Sequence, residues 1–575
     1  MSYPVFSLDN PAMKTKGLIS IVLMASLLAS SISCDWHRGT TTITDSTPPA
    51  PTTSAITSPT TTPVVSNPQD FEFVFVFERK YSYEEYFEVI TTAEITGYTG
   101  SGGDIAIPDT INGIKVTHVR EYAFKDCSNI TSIMIPSSIE WIGERAFSGC
   151  TSLTEIKVDA SNPFIMDIDG VLYSKNGKQI VCYPPGKTDS SYTIPSSVIW
   201  VNNTAFSGCT YLTDIRVDPA NAHYIDIGGV LITKEKQWKS ALLVSCPAGK
   251  TGSYTIPNTV QGIARNAFYG CTGLTGIMIS FGVETIGDNA FYGCTNLVKI
   301  KVNPLNVYFK DIDGVLFTKL GKELVCYPAG KTGSSYAIPR SVTGIRDGAF
   351  SGCLNLTRVT IPIHAISIGE STFSGCTSLT EIRVDAPNPV YKDIGGVLFS
   401  EYGFMCVYPS GYSFMCIYPA GRTGPYVIPD DVGWIGRLAF KNCTGLTSIT
   451  IPRYVMSIDE EDFWSCTSLA EIIVDESNDY YKDVDGVLFT KYDASLISYP
   501  ASKEGSSYTI PDGVIDIHNM AFRNCTNLTS ITIPSSVISI PGDAFWGCCN
   551  LTIICPSDSY AHSFCLQTGI NFQLI

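Results

Sequence analysis

One phrase recurs eleven times in this chain and narrows its folding options more than any bulk property. It is a phenylalanine, two small or polar residues, a cysteine, and then an apolar strand of the pattern Leu/Ile-x-x-Ile/Val-x-Ile/Val. The phenylalanines are Phe124, Phe147, Phe206, Phe268, Phe291, Phe350, Phe373, Phe440, Phe463, Phe522 and Phe545, separated by 23, 59, 62, 23, 59, 23, 67, 23, 59 and 23 residues. A phrase held at fixed register predicts stacked equivalent units instead of a domain around one central core.

The segment Leu446–Cys466 shows how a unit is made. Leu446, Ile449 and Ile451 fall on one face of an extended stretch, with Ser448 and Thr450 on the other. Pro452 stops the ladder because it has no N–H to donate. A second short extended piece follows at Tyr454–Ile458, Phe463 and Cys466 close the circuit, and the next strand opens at Leu469, 23 residues after Leu446. Phe147, Cys150, Phe291, Cys294, Phe463 and Cys466 typify the inward structural positions of the repeat. No circuit covers its own apolar edge without a neighbour.

The long gaps carry a second pattern. A gap of 59 less one circuit of 23 leaves 36 extra residues, and five such insertions occur. In the third, Asp311–Phe317, a turn and Leu324–Pro328 predict a β-hairpin, and Tyr336-Ala337-Ile338-Pro339 a further rung. Eleven strands after the cysteines, five Tyr-x-Ile-Pro rungs and an opening Ile105–Pro108 give 17 rungs. Their sixteen steps predict one parallel sheet ~75–80 Å long at ~4.8 Å per step. A tandem duplication between Tyr402 and Gly421 enlarges one hairpin, which a projecting element absorbs more readily than a rung. Residues 105–555 are therefore expected to form the solenoid. Residues 71–104 are expected as an N-terminal β cap and 556–575 as a C-terminal cap, since an uncapped stack exposes its core and a free edge.

The phrase is clearest in LTSITIPSSVISIPGDAF, Leu528 to Phe545, and it resembles the BspA-like leucine-rich repeat family over about residues 97–555. The resemblance implies a leucine-rich-repeat solenoid, a parallel β-sheet ladder with little helix, decorated here by β-hairpin insertions. It further implies a surface-exposed or secreted protein, and for some members adhesion to host matrix proteins or cell–cell aggregation. The partner so implied is a protein or glycan on another cell or matrix. No binding residue transfers from the family, because the matching positions are structural.

The front of the chain is of another kind. Residues 1–12 look like an over-extended start, and residues 13–33 like a signal peptide: Met13-Lys14-Thr15-Lys16 is positive, and Gly17 to Ala29 is apolar. The ending LLASSISC resembles a bacterial lipobox, which would make Cys34 a lipid-attachment site, although Ser31 stands where that pattern usually has leucine. Ordinary cleavage with secretion, or an uncleaved membrane anchor, stays open beside a lipid anchor on a bacterial cell surface. Residues 34–70 then form a tether; from 39 to 68, 21 of 30 residues are Thr, Ser or Pro, too polar to offset chain entropy by burial.

Other chemistry is argued against residue by residue. The net charge is −16, from 38 basic and 54 acidic residues, and without a Lys/Arg-rich run nucleic acid is not an expected partner. Of twenty cysteines, eleven follow the repeated phenylalanine and are expected to be reduced, buried thiols, since stacked equivalent side chains run parallel. Cys549, Cys555 and Cys565 are disulfide candidates with the pairing open. C-x-x-C is absent, so no metal is expected. Gly-Lys-Thr at Gly186, Gly249 and Gly330, and Gly-Arg-Thr at Gly421, lack the earlier glycine of a phosphate loop and are assigned to turns. In Asp167-Ile168-Asp169-Gly170 the glycine comes two residues early for a calcium loop, so a hairpin turn is expected. None of the six histidines occupies a repeated position. Neither a cofactor nor an enzyme is anticipated.

Function is then expected on the outward strand positions. Glu155 and Lys157, Asp214 and Arg216, Lys299 and Lys301, Glu381 and Arg383, and Glu471 form a candidate binding face on the strands that lead into insertions. Hairpin aromatics (Tyr173, Tyr183, Phe317, Tyr327, Tyr408, Tyr418) are candidates to assist it. A solvated sheet face with locally compensated charge is the plain structural alternative. The rival functions are a cell-envelope hydrolase with a cleft between hairpins, and a purely structural surface component.

Overall fold

The computed structural model describes residues 70–81, 86–234, 240–400, 413–459, 461–492, 494–548 and 550–575. Cys34, the signal and tether segments, Tyr408, Cys549 and the first copy of the tandem duplication lie outside the described residues.

The chain is a β-solenoid. Rungs pair in parallel one circuit apart, Ser132 with Glu155, Gly276 with Lys299, Arg358 with Glu381 and Ser448 with Glu471. Leu446, Ile449 and Ile451 are buried while Ser448 and Thr450 are half-buried. A register shift opposite Thr447 lets Leu446 and Ile449 both point inward, as an added residue in one strand requires. In coils without an insertion, two-residue strands such as Gly262–Ile263 and Thr285–Ile286 follow the rung and build a second parallel ladder. The only helix among the described residues, Tyr560–Thr568, is capped by Ser559 and ends at Gly569. No described helix is long and apolar enough to cross a membrane.

The phenylalanines line up in a column. Phe124 stacks on Phe147 at 5.4 Å, Phe268 on Phe291 at 5.5 Å, Phe350 on Phe373 at 5.2 Å and Phe522 on Phe545 at 5.2 Å. Each such pair contributes about 0.5–1.5 kcal/mol beyond simple burial. The insertions extend the column with their own residues. Tyr183 meets Phe206, Tyr327 meets Phe350, Tyr418 meets Phe440 and Tyr499 meets Phe522 at 5.1–5.7 Å. In the second insertion Cys246 takes this place, its N–H donating to the carbonyl of Ala267 as that of Tyr183 does to Ala205. Each long gap thus contains a complete extra coil.

The repeated cysteines do more than fill space. The Cys294 thiol donates to the carbonyl of Phe268 one coil earlier at 3.1 Å, and Cys150, Cys376 and Cys548 do the same to Phe124, Phe350 and Phe522 at 3.0 Å. Each of these carbonyls already accepts a backbone N–H within its own turn, from Cys127, Cys271, Cys353 and Cys525, and the thiol adds a second, weak donor from the next coil. Cys555 and Cys565, two of the three disulfide candidates, are both buried and unbridged.

Two expectations about the ladder are corrected. The rungs are present, but among the described residues they form six short parallel sheets instead of one ladder of 17. Each insertion also has one strand more than expected: the hairpin of Val315–Thr318 with Glu323–Cys326 is present, and Phe309–Ile312 pairs on its other side to make a three-stranded antiparallel meander. The meander ends the ladder chemically. The Ile300 N–H, which would bond the next rung, donates to the Gly314 carbonyl at 2.8 Å, and the Val302 N–H to the Asp311 carboxylate at 2.9 Å.

The meanders interrupt the rungs, and the stack curls toward its Phe/Cys turn side. Residues several coils apart meet there. The Arg145 guanidinium donates to Asn266 Oδ1 at 2.6 Å and lies 4.8 Å over the Tyr269 ring, and Arg346 donates to the Ile286 carbonyl at 3.1 Å. Arg523 is held between the Trp464 and Trp546 rings, 4.8 Å from each. The curl brings the ends together: Phe71, Phe73, Thr96 and Thr99 share a cavity of about 180 Å³ with Phe545, Trp546 and Ile570. The long ribbon expected from rung counting is therefore a closed stack.

Candidate binding surface

Every insertion is held by the same polar devices. Asn306 is fully buried. Its Nδ2 donates to the carbonyls of Ser280 and Val283 at 2.8 Å, and its Oδ1 accepts from the N–H groups of Tyr308 at 2.8 Å and Phe309 at 2.7 Å. Asn162, Asn221, Asn388 and Asn478 repeat that pattern. Sequence reasoning missed this residue, although an Asn three residues after the Asp or Asn that ends each strand recurs in all five insertions.

The first aspartate of Asp-Ile-Asp-Gly caps the rung edge in all five copies, at Asp167, Asp226, Asp311, Asp393 and Asp483, with N···O distances of 2.7–2.9 Å. The following pair makes the turn. Asp313 (φ 48°) and Gly314 (φ 78°) both adopt the left-handed region that a two-residue antiparallel turn demands. A lysine anchors this turn from behind in three insertions: Lys331 and Lys250 of Gly-Lys-Thr donate to the carbonyls of Asp313 and Gly228, each at 2.7 Å, and Lys503 of Ser502-Lys503-Glu504 to that of Asp485 at 2.5 Å. The preceding glycine permits close approach, since a Cβ on Gly330 would lie 2.5 Å from the backbone of Asn296. At the fifth insertion Ser502 stands there and its hydroxyl donates to the Thr467 carbonyl at 2.9 Å.

All nine candidate-face residues lie on the last rung before a meander. They occupy five separate sheets, not one continuous stripe. Several are neutralised nearby. Lys157 pairs with Glu155 at 2.8 Å and Lys301 with Asp311 at 2.8 Å, while Glu381 accepts from both Arg358 and Arg383. Those two guanidiniums hold the Glu381 carboxyl below its ordinary range. Arg216, Lys299 and Glu471 have no ion-pair partner within 4 Å among the described residues. The hairpin aromatics are corrected. Tyr173, Tyr183, Phe317, Tyr327 and Tyr418 are all buried, because strand alternation turns them into the coil. Exposed aromatics of the insertions include Phe164, Tyr308 and Tyr480, two residues after the buried asparagine, and Tyr492.

Comparison with known proteins fits this architecture. The sequence matches the family described as BspA type Leucine rich repeat region in six copies, at residues 104–170, 187–228, 248–320, 330–404, 424–490 and 499–568. The chain belongs to that family. Among solved structures, the BspA-type chain is similar to a leucine rich cell surface protein of Faecalibacterium prausnitzii, with 23% identity, TM-score 0.34, and coverage of 85% of this chain and 98% of that one. It is also similar to the pneumococcal vaccine antigen PcpA, with 16% identity, TM-score 0.28, and coverage of 87% and 98%. A leucine-rich repeat protein of Bacteroides ovatus matches with 20% identity, TM-score 0.23, and coverage of 87% and 98%. No curated protein matches the chain.

The BspA-type scaffold absorbs the groups that looked most reactive in the sequence. The thiols donate to carbonyls, and burial pushes Cys182, Cys326 and Cys466 up to about 12. The lysines of Gly-Lys-Thr serve turns and the aspartates serve edges. Outward side chains of the coils and meanders are left to make contacts.

Proposed function

We propose that this BspA-type protein is a non-enzymatic cell-surface binding protein that contacts proteins or glycans of a host or neighbouring cell. One observation carries the reading: positions the scaffold uses are repeated in every insertion, whereas solvent-facing ones are not. The position two after the buried asparagine is Phe164, His223, Tyr308, Val390 and Tyr480 in turn, and the outward rung pairs differ as widely. A repeat array with a constant frame and varied outward residues supports selective contact with a partner. Export through residues 13–33, with lipid on Cys34 and residues 34–70 as a tether, would place the repeats at the cell surface.

The test is a screen of purified residues 69–575 against matrix proteins and glycans, beside a variant carrying Arg216→Glu and Arg383→Glu. Saturable binding that the variant weakens supports the proposal; a folded protein that binds nothing on the panel argues for a structural role. Display is checked separately by protease treatment of intact cells and by Cys34→Ala, which should alter processing. Retention of the repeats on treated cells would overturn surface exposure.

A further inference from the structure

The five insertions share one scaffold, so every position in one has counterparts in the others that report what the fold requires. The third insertion breaks the pattern. Leu305, Val307 and Leu320 are 76%, 68% and 81% exposed, with Phe281 and Tyr308 also exposed beside them. The counterparts of Leu305, Val307 and Leu320 are Ser161, Pro163 and Asn176 in the first insertion, and Ser477, Asp479 and Tyr492 in the fifth. The fold accepts polar residues at these places, so the aliphatic ones are not there for folding. They form one patch. The Lys319 N–H donates to the Tyr308 carbonyl at 2.6 Å, which sets Leu320 beside the loop, and Asn306 binds the Ser280 carbonyl at 2.8 Å, which sets Phe281 there. A contiguous exposed apolar patch marks a contact site.

Charge indicates what covers it. From Lys299 to Lys331 there are six lysines and three carboxylates, a formal +3 in a chain of −16. The same span of the fifth insertion, Glu471 to Lys503, has three lysines and seven carboxylates, a formal −4. Lys299 and Glu471 hold the same scaffold position with opposite sign. The fifth insertion also exposes Tyr480 and Tyr492, the last at 77%, and the coil before it exposes Tyr454. Three turns of the aromatic column, at Tyr327, Phe350 and Phe373, lie between the third and fourth meanders, and three, at Tyr418, Phe440 and Phe463, between the fourth and fifth. Equal spacing means that a two-fold axis through the fourth insertion sets the third insertion of one copy against the fifth of its partner, and the reverse.

We propose that the chain forms a two-fold dimer in which the apolar, lysine-rich third insertion docks on the acidic, tyrosine-bearing fifth insertion of a second copy. The contact needs no outside ligand, but it covers Lys299, Tyr308, Glu471 and Tyr480, positions on which the binding role also draws; Arg216 and Arg383, changed in the binding screen, lie on other insertions. Charge complementarity sets its register and makes it sensitive to salt.

Sedimentation velocity on the purified full chain tests this at low and high salt. The expected result is a dimer that weakens with salt. Lys299→Glu with Lys322→Glu should weaken it at least tenfold, as should Glu471→Lys with Asp479→Lys, and both sets in one chain should restore it. Leu305→Ser with Val307→Asp, which installs residues the fifth insertion already carries, should also weaken it while leaving the circular dichroism spectrum unchanged. A monomer up to roughly 100 μM, a dimer indifferent to these variants, or failure of the combined set to restore it would each overturn the proposal. Binding of a monomeric wild type to anionic vesicles would assign the patch to a membrane instead and overturn it equally.

Discussion

Asn306 illustrates how much of this architecture hangs on single polar side chains. Its amide satisfies two carbonyls and two N–H groups of a loop that is otherwise apolar. Asn306→Ala leaves all four without that partner and should cost roughly 2–4 kcal/mol, read as a lower urea midpoint. Asp462 has the opposite standing. It sits fully buried in a column where other coils carry alanine, as at Ala439 and Ala521. Its Oδ2 accepts from the Asp459 N–H at 2.9 Å, while burial raises its pKa well above the ordinary carboxyl value. A raised folded pKa means stability that is complete below the unfolded value near 4 and is lost as pH rises. Asp462→Ala should therefore stabilise the protein, with a larger melting-temperature gain at pH 7 than at pH 4.

The meander is the element that sets this chain apart from a plain repeat stack. Asp311 is its edge cap. Burial pushes its carboxyl up, but the Lys301 ion pair and the Val302 N–H more than compensate and hold it below the usual range. That sign predicts stability present above the unfolded pKa and lost as pH falls through the lower folded value. Asp311→Ala should cost roughly 1–3 kcal/mol at pH 7 and flatten the acid limb of a melting-temperature profile; Asp311→Asn, still an acceptor, should keep more of the stability. Rungs were legible in the sequence because an apolar alternation recurs every circuit, closed by proline except before the insertions and at Ser280. The first meander strand was not: Phe309-Lys310-Asp311-Ile312 is four residues long, and its Asp-Ile end was assigned to the strand that follows. Tyr183 and Tyr327 were placed outward for lack of a sign that an insertion supplies its own member of the aromatic column. The nine charged positions could be located, but their dispersal over separate sheets follows from backbone amides that residue patterns do not display.

At the scale of the molecule, closure is the feature that residue periodicity could not announce, because a contact such as Arg145 with Asn266 joins coils with no shared signature. It is measurable. The Asn112 side chain lies about 4 Å from where a Cβ on Gly569 would be. Spin labels at Asn112→Cys and Gly569→Cys should give one short distance by pulsed electron resonance, whereas an uncurled stack of 17 rungs would part them by about 80 Å. A distance of that larger size would show that the ends do not meet.

Joined ends also constrain how such a gene can change. An open stack can gain or lose a circuit at either terminus with little consequence, but a seam fixes the number of circuits and the position of every wedge together. Length variation then has to be stored where the perimeter does not register it. In this chain the tandem copy between Tyr402 and Gly421 falls inside an insertion.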